Sequence, residues 1–457
     1  MTGTYRLPVL DTQFIRTWSP ARFAALGLVA YAVLLFVSPL NYNYANISLE
    51  PTIYAAAVLL GFFGGCQSGK VANDLGPPVA VQPLSMSPDL MINTTLALGS
   101  VGVAARAYDR VVMRGFIVAE TLIESRETIA ESLSLFSYLG GVFFSFGIVA
   151  VMQIWLSSSH RRRPVAFAFA LFLAAYPMLE ALLGGGRSVT IHTLFLLFMF
   201  ARTSNFMPWL VRSPVKLLVA GIAVVAAAQL FYELRTLQGA SDEIDIADVF
   251  RSTAISRYAQ PWDLVVEHLF ATNGQGLISL VLKTWTHLTQ YLTHSWLVYY
   301  ENYVHSEGVY GWGRIHFFMV FRFLSGLVGE DLNYDPSLYG AQSGVSSTAF
   351  STIYYDFGAF GPLAAVAFGY VATIIQRKTI MFPERWLPLY AYLCFSCLMM
   401  MLDNQLIGSL GAFAIWSFSL YIPLHYLITL LLEHRENVEA TPPAETQKMR
   451  EQRQGTP

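Results

Sequence analysis

Apolar runs as long as a bilayer is thick recur along this chain, and they restrict its fold more than any other feature. A hydrocarbon core of about 30 Å takes roughly 20 mostly apolar residues per helix. Such runs cover 22–40, 50–67, 89–107, 135–156, 164–183, 188–203, 214–232, 349–375, 387–402 and 408–432. The reading is an all-α polytopic membrane protein of about ten transmembrane helices. Composition agrees: 54% of the 457 residues are hydrophobic and only 13% are charged, about half the charged share of a soluble chain. Length alone would suggest about three soluble domains, but these values exclude a soluble multidomain enzyme. A net charge of −2 excludes the basic stripe of a nucleic-acid binder. Cys66, Cys394 and Cys397 are too few for a disulfide framework. The Cys394/Cys397 pair lies in an apolar run and reads as packing rather than redox chemistry.

Orientation follows from lysine and arginine in the short loops, which stay on the cytoplasmic side. His160-Arg161-Arg162-Arg163 is the strongest such signal. Arg202, Arg212 and Lys216 mark a second inside loop, and Arg377, Lys378 and Arg385 a third. The N-terminal segment (Arg6, Arg16, Arg22) and the tail (His434, Arg435, Lys448, Arg450, Arg453) also read as inside. The first apolar run has no small-residue cleavage pattern and reads as an anchor. Ten spans with both ends inside satisfy all of these signals. The polar stretch 436–457, with Pro442-Pro443, reads as a disordered cytoplasmic tail behind a single transmembrane domain, 1–435.

This topology puts 41–49, 108–134, 184–187, 233–348 and 403–407 on the outside. The segment 233–348 is by far the longest connection, and long ordered loops usually carry function. Within it, 276–300 and 315–328 are apolar enough to enter the bilayer, either as a pair of extra spans, giving twelve, or as amphipathic or re-entrant helices. No internal repeat is evident, which argues against an inverted-repeat transporter.

Several arginines fall on the outside against the charge rule: Arg106, Arg110, Arg114, Arg187, Arg235, Arg251, Arg257, Arg314 and Arg322. Ionisable groups at span ends mark functional sites, with snorkelling to headgroups as the alternative. Arg187 follows three glycines that allow close backbone approach, whereas Arg235 could simply pair with Glu233, and Arg314 and Arg322 read as interfacial. A guanidinium is planar, always charged and able to make two parallel bonds to phosphate. Arg187, Arg235, Arg110, Arg114 and Arg257 are therefore candidates to hold a diphosphate. No Walker A loop, HExxH or paired acidic motif appears, so a metal is not indicated. The external segment also holds five of the nine histidines and many aromatics, including Trp312 and Tyr310. Interfacial belts explain much of that enrichment. Sugars also stack on such rings, which makes Tyr291, Trp296, Tyr300 and Tyr354 candidate glycan contacts. His294, with a side chain that titrates near neutrality, is the candidate general base.

The stretch Gly344-Val-Ser-Ser-Thr-Ala-Phe-Ser-Thr-Ile-Tyr354-Tyr355-Asp356-Phe357-Gly358-Ala-Phe-Gly361-Pro362 runs into an apolar span. Asp356 is costly there unless paired, and an arginine such as Arg114 or Arg257 is the expected partner. The stretch resembles the DFGxxG-type motif of O-antigen and oligosaccharide repeat-unit polymerases, the Wzy-type membrane glycosyltransferases. Tyr108-Asp109-Arg110-Val-Val-Met-Arg114-Gly115 is similar to that family's Asp-Arg…Arg-Gly segment, and Gly186-Arg187-Ser188 to its Gly-Arg-Ser turn. Tyr291-Leu-Thr-His294-Ser295 stands where the family tends to have Tyr…Thr-Gly-Ser, with histidine replacing glycine. The resemblance extends over roughly 90–375.

It implies a fold related to the GT-C glycosyltransferases and O-antigen ligases, an inner-membrane location and an active site facing the periplasm. The implied reaction takes a growing glycan from undecaprenyl diphosphate and transfers it to a lipid-linked repeat unit, without metal or other cofactor. The implied partners are the undecaprenyl-diphosphate-linked oligosaccharide, a chain-length-regulating co-polymerase and the bilayer. Asp356 is then either an orienting partner of a cation, the favoured role, or the base itself, in place of His294. An O-antigen ligase, another lipid-linked-sugar glycosyltransferase and a polysaccharide transporter are the competing readings. A transporter would show charges near mid-span and broken helices in paired positions, and would lack the large external segment.

Overall fold

The computed structural model describes residues 11–44, 47–74, 88–113, 135–159, 162–183, 188–206, 213, 216, 259–272, 276–332, 334 and 347–440. Those residues are almost wholly helical, the exception being a short antiparallel ribbon in which β1 (Leu40–Tyr42) pairs with β2 (Ala259–Pro261). Seven helical stretches are long and apolar enough to cross a membrane: Pro20–Val37, Leu49–Ala72, Asp89–Met113, Leu135–Leu156, Pro164–Ala181, Ala349–Met381 and Phe413–Leu432. This is a polytopic membrane architecture. The expected runs 188–203 and 387–402 are helical, as α8 (Ser188–Thr203) and α14 (Pro383–Met399), but their 16 and 17 residues fall short of the other seven. The run 214–232 lies outside the described residues.

The remaining helices, in chain order, are α1 (Thr12–Thr17), α2 (Pro20–Val37), α3 (Leu49–Asp74), α4 (Pro88–Ala107), α5 (Leu135–Phe143), α6 (Phe146–Leu156) and α7 (Pro164–Leu183). After α8 come α9 (Asp263–Ala271), α10 (Leu277–Val304), α11 (Phe318–Val328), α12 (Ala349–Phe357) and α13 (Gly361–Met381), and α15 (Gly408–Ala440) follows α14. Helix α15 stays helical to Ala440, beyond the start at 436 expected for a disordered tail.

Helices in lipid gain little from hydrophobicity alone, so their contacts favour small residues that let backbones approach. Helices α3 and α13 run side by side along a glycine row on α3 at i, i+4 and i+8 spacing. A Cβ at Gly61 or Gly65 would overlap the carbonyl oxygen of Pro362 or Val366, and one at Gly69 would lie 2.9 Å from Thr373 Cβ. Gly369 answers from α13, facing the Phe62 carbonyl. A second seam joins α4 to α5 and α6, where a Cβ at Gly99 would lie 2.8 Å from the Gly147 nitrogen.

Arg163 and Arg202, from two of the short basic loops, lie at one end of the bundle, and Arg106 and Arg110 at the other. At the first, Arg202 pairs with Asp11, Arg163 meets Asp89 at 3.2 Å, and the Gln376 amide donates to the Ile15 carbonyl at 2.7 Å. The starts of α3 and α12 and the loop between α14 and α15 lie at the opposite end, where the Asn404 N–H donates to the Ser347 carbonyl at 2.7 Å. The two apolar stretches of the long loop lie at that opposite end too. Helix α11 has eleven residues, about 16 Å of length, and is too short to span. Helix α10 has 28 residues but carries a buried polar row, Thr286, Thr289, Gln290, Thr293 and His294. It leans on α2 and α3, receiving the Tyr31 hydroxyl on the Thr293 carbonyl and donating its own Tyr299 hydroxyl to the Pro51 carbonyl.

Candidate functional site

Asp356 sits on the last turn of α12 with no solvent exposure. Its carboxylate is enclosed by the loop Gly311–His316. Oδ1 accepts the N–H of Gly313 at 2.8 Å and of Ile315 at 3.2 Å. Oδ2 accepts the His316 backbone N–H at 3.0 Å and its ring Nδ1–H at 2.7 Å. The Trp312 and Gly311 N–H groups close the turn on the carbonyls of Asp356 and Tyr355. Successive amides converging in this way form an anion-binding concavity. Sequence creates it locally: Trp312 and Gly313 both adopt the left-handed region (φ 53° and 91°), and a Cβ at Gly311 would lie 2.6 Å from Oδ1.

The imidazole of His316 carries the network further. The Asn404 Oδ1 accepts the Leu406 N–H at 3.0 Å, which turns its amide nitrogen toward Thr352 Oγ1 at 2.6 Å and His316 Nε2 at 3.2 Å. An amide N–H on Nε2 requires a lone pair there, so the proton resides on Nδ1 and points at Asp356. The Phe357 and Phe368 rings flank the imidazole. An Asp-oriented neutral histidine is the arrangement of a general base. Here, however, the Nε2 lone pair is occupied and the side chain is only 3% exposed, so the dyad ties α12, the Gly311–His316 loop and the α14–α15 loop together. The partner of Asp356 is therefore a histidine and three backbone amides, not an arginine.

Asp403, next to Asn404, accepts the Gln405 amide at 2.7 Å. Burial pushes its carboxyl up to about 6, against the hydrogen bonds that favour its charged form.

An aromatic wall stands beside the clamp. Tyr303 and Tyr354 stack at 4.3 Å, Tyr310 and Tyr54 meet Tyr354 edge-on, and the Tyr54 hydroxyl donates to the Gly358 carbonyl at 2.9 Å. Burial, then the neighbouring Tyr354 and Glu50, pushes the Tyr303 phenol up, so it stays protonated. Trp312 and Arg314 project from the clamp loop into exposed positions.

The other expected site residues are distributed as follows. His294 is buried in α10, with its Nδ1 3.1 Å from the Gln290 carbonyl. It is not the histidine that meets Asp356. Tyr300 is sealed at 3% exposure against Trp296 and Tyr299, with its hydroxyl 3.0 Å from Thr52 Oγ1, so it offers no ring face to a glycan. Trp296 packs edge-on against Phe350, whereas Tyr354 keeps partial exposure. Arg110 pairs with Glu180 of α7 at 3.0 Å, and Arg106 bonds the other oxygen of the same carboxylate. Arg114, Arg187, Arg235 and Arg257, and the side chain of Tyr291, lie outside the described residues. Cys394 and Cys397 are free thiols in the helical core. Among the described residues no cluster of His, Cys, Asp and Glu is arranged to hold a metal ion.

Sequence reasoning missed His316, Asn404 and Glu180 as partners. The signal for the first was available in Gly311-Trp312-Gly313-Arg314, where two glycines around a tryptophan mark a backbone bent to receive something. No protein-family model matches the chain, and no curated protein or solved structure does either.

Proposed function

We propose that the chain is an inner-membrane oligosaccharide repeat-unit polymerase working at the periplasmic face. It would transfer a growing glycan from undecaprenyl diphosphate to a hydroxyl of a lipid-linked repeat unit. The acceptor oxygen attacks the anomeric carbon, the bond to the diphosphate breaks, and the configuration inverts. The observation that carries the reading is the union of the motif aspartate with the Gly311–His316 loop. Asp356, the centre of the polymerase-like stretch, holds the loop that carries exposed Trp312 and Arg314, and Trp312 meets Tyr310 at the edge of the Tyr303–Tyr354 wall, at the end of the bundle away from the basic loops. A loop that presents a cation and a tryptophan to the outside suits a phosphate-linked sugar.

On this reading the external arginines neutralise the leaving diphosphate, with Arg187 and Arg235 as its principal ligands. Asp356 is committed to its four donors and acts as a positioning residue. His294 stays the candidate for the acceptor proton from its chemistry alone, since in α10 it is as buried as Tyr300 and its Nδ1 faces the Gln290 carbonyl. Purified protein supplied with lipid-linked repeat units tests the scheme: Arg187→Ala and His294→Ala should lose polymer while their protein levels hold. In a deletion strain, surface polysaccharide should lose its ladder and keep one repeat unit on the lipid core. Loss of every repeat would identify a ligase instead, and an intact ladder would overturn both.

A further inference from the structure

At the basic end of the bundle, α13, α14 and α15 flank an open-sided cavity of about 390 Å³ lined by Lys378, Phe382, Arg385, Trp386, Ile422 and Tyr426. Arg385 forms its inner wall and is only 8% exposed. Its Nε donates to His425 Nδ1 at 3.1 Å, and its guanidinium lies 5.6 Å from the Phe382 ring and 5.5 Å from the Tyr426 ring. Its Nη2 is buried with no hydrogen-bond partner, and no carboxylate among the described residues forms an ion pair with it. A guanidinium cannot escape by deprotonation, and an uncompensated buried charge is among the most costly arrangements a protein can hold. His425 and two rings fix its orientation, and the neighbouring Glu384 carboxyl attracts it without closing an ion pair. The wall thus presents a buried guanidinium nitrogen to an anion that no described residue supplies as an ion pair.

The rest of the cavity indicates what carries that anion. Lys378 adds a second, exposed cation at the end of α13, while Trp386, Ile422 and Tyr426 offer rings and an aliphatic surface. Tyr426 and Leu427 are about half exposed on the outer side of α15, as residues facing lipid are. Two cations above an apolar wall at a span end match a phosphate that carries acyl chains. We propose that this cavity binds the phosphate of an anionic phospholipid from the leaflet at the basic end, fixing the junction of α13, α14 and α15. The proposal does not depend on the polymerase reading.

The test uses the purified full chain in neutral detergent, with lipid binding followed by native mass spectrometry. Phosphatidylglycerol should bind, whereas diacylglycerol, which lacks the phosphate, should not. Arg385→Gln should weaken phosphatidylglycerol binding at least about tenfold, and Lys378→Gln about fivefold, the effect of one cation at a lipid surface. Lys378 is exposed, so its variant keeps the test decisive should Arg385→Gln fail to fold. Unchanged affinity in Lys378→Gln, or equal binding of diacylglycerol, overturns the proposal. If millimolar inorganic phosphate displaces the lipid and itself depends on Arg385, the cavity is a soluble-phosphate site and the lipid assignment falls.

Discussion

Asp356→Asn separates a clamp from a proton-transfer group. The carboxylate oxygens accept four N–H donors, two each. An asparagine keeps one oxygen and turns an NH2 toward the other pair. If it keeps the bonds from Gly313 and Ile315, both donors of His316 face a donor. Each stranded buried donor costs about 1–3 kcal/mol, so the loss is about 2–6 kcal/mol before relaxation, against roughly 5–15 kcal/mol for a typical fold. The imidazole could release the conflict by moving its proton to Nε2, but that nitrogen faces the Asn404 amide, which Leu406 holds in place. The conflict then moves one bond along without vanishing.

Asp356→Asn should therefore unfold at lower denaturant, with faster hydrogen exchange in 311–316. Adding Asn404→Asp supplies an acceptor for Nε2–H and should restore about half of the loss, since the His316 backbone N–H stays unmatched. Removing both members in Asp356→Ala/His316→Ala should not rescue, because the amides of Gly313 and Ile315 remain stranded. An Asp356→Asn protein with wild-type stability and wild-type protection over 311–316, yet inactive, would refute the clamp and return Asp356 to the role of base.

Two further outcomes test the packing and the electrostatics. A methyl at Gly65 overlaps the Val366 carbonyl, whereas one at Gly64 meets nothing within 4 Å. Gly65→Ala should cost about 1–3 kcal/mol or more and Gly64→Ala should be neutral or stabilising by up to about 1 kcal/mol, as read from unfolding in detergent; equal effects would remove the α3–α13 seam. Burial raises the Asp403 carboxyl in the fold from its ordinary value of 3.8 to about 6, so the folded state binds the extra proton. Its favourable contribution is complete below about pH 4 and is lost as pH rises through about 6. Asp403→Asn should accordingly flatten that stretch of the stability profile and stabilise the protein at pH 7.5 by at most about 3 kcal/mol. A wild-type slope in the variant would exclude Asp403 as its source.

The spans were legible because an apolar run long enough to cross a bilayer needs no partner to be identified. The exceptions show what the pattern lacks: α8 and α14 coincide with apolar runs, yet their helices end after 16 and 17 residues, and turn positions depend on packing. The glycine row at 61, 65 and 69 emerges only in the structure, although small residues at helical spacing are its signal in a sequence. Which helix it meets has no such signal, since nothing in one helix names the other. Arg110 illustrates the same gap. Its charge at a span end suggested a ligand, but the carboxylate it meets is Glu180, 70 residues away on α7.

In the sequence Asp356 reads as a charge in need of a partner and Arg385 as one of three basic residues of an inside loop, and only three dimensions show what each one needs. The burial of Asp356 and its need for a partner followed from composition. The identity of that partner did not, because three of its four donors are backbone amides of a loop some 40 residues earlier, brought together by left-handed turns at Trp312 and Gly313. Every lone-pair direction used there is filled from within the chain, so this carboxylate is structural at rest. Arg385 is also buried, with rings, an imidazole and the Glu384 carboxyl around it, but one nitrogen ends at a cavity wall without an acceptor. A charge whose bonds close inside the protein explains the fold around it, whereas one whose bonds do not close requires something from outside. By that criterion Asp356 holds a site that other residues use, and Arg385 is itself a binding group.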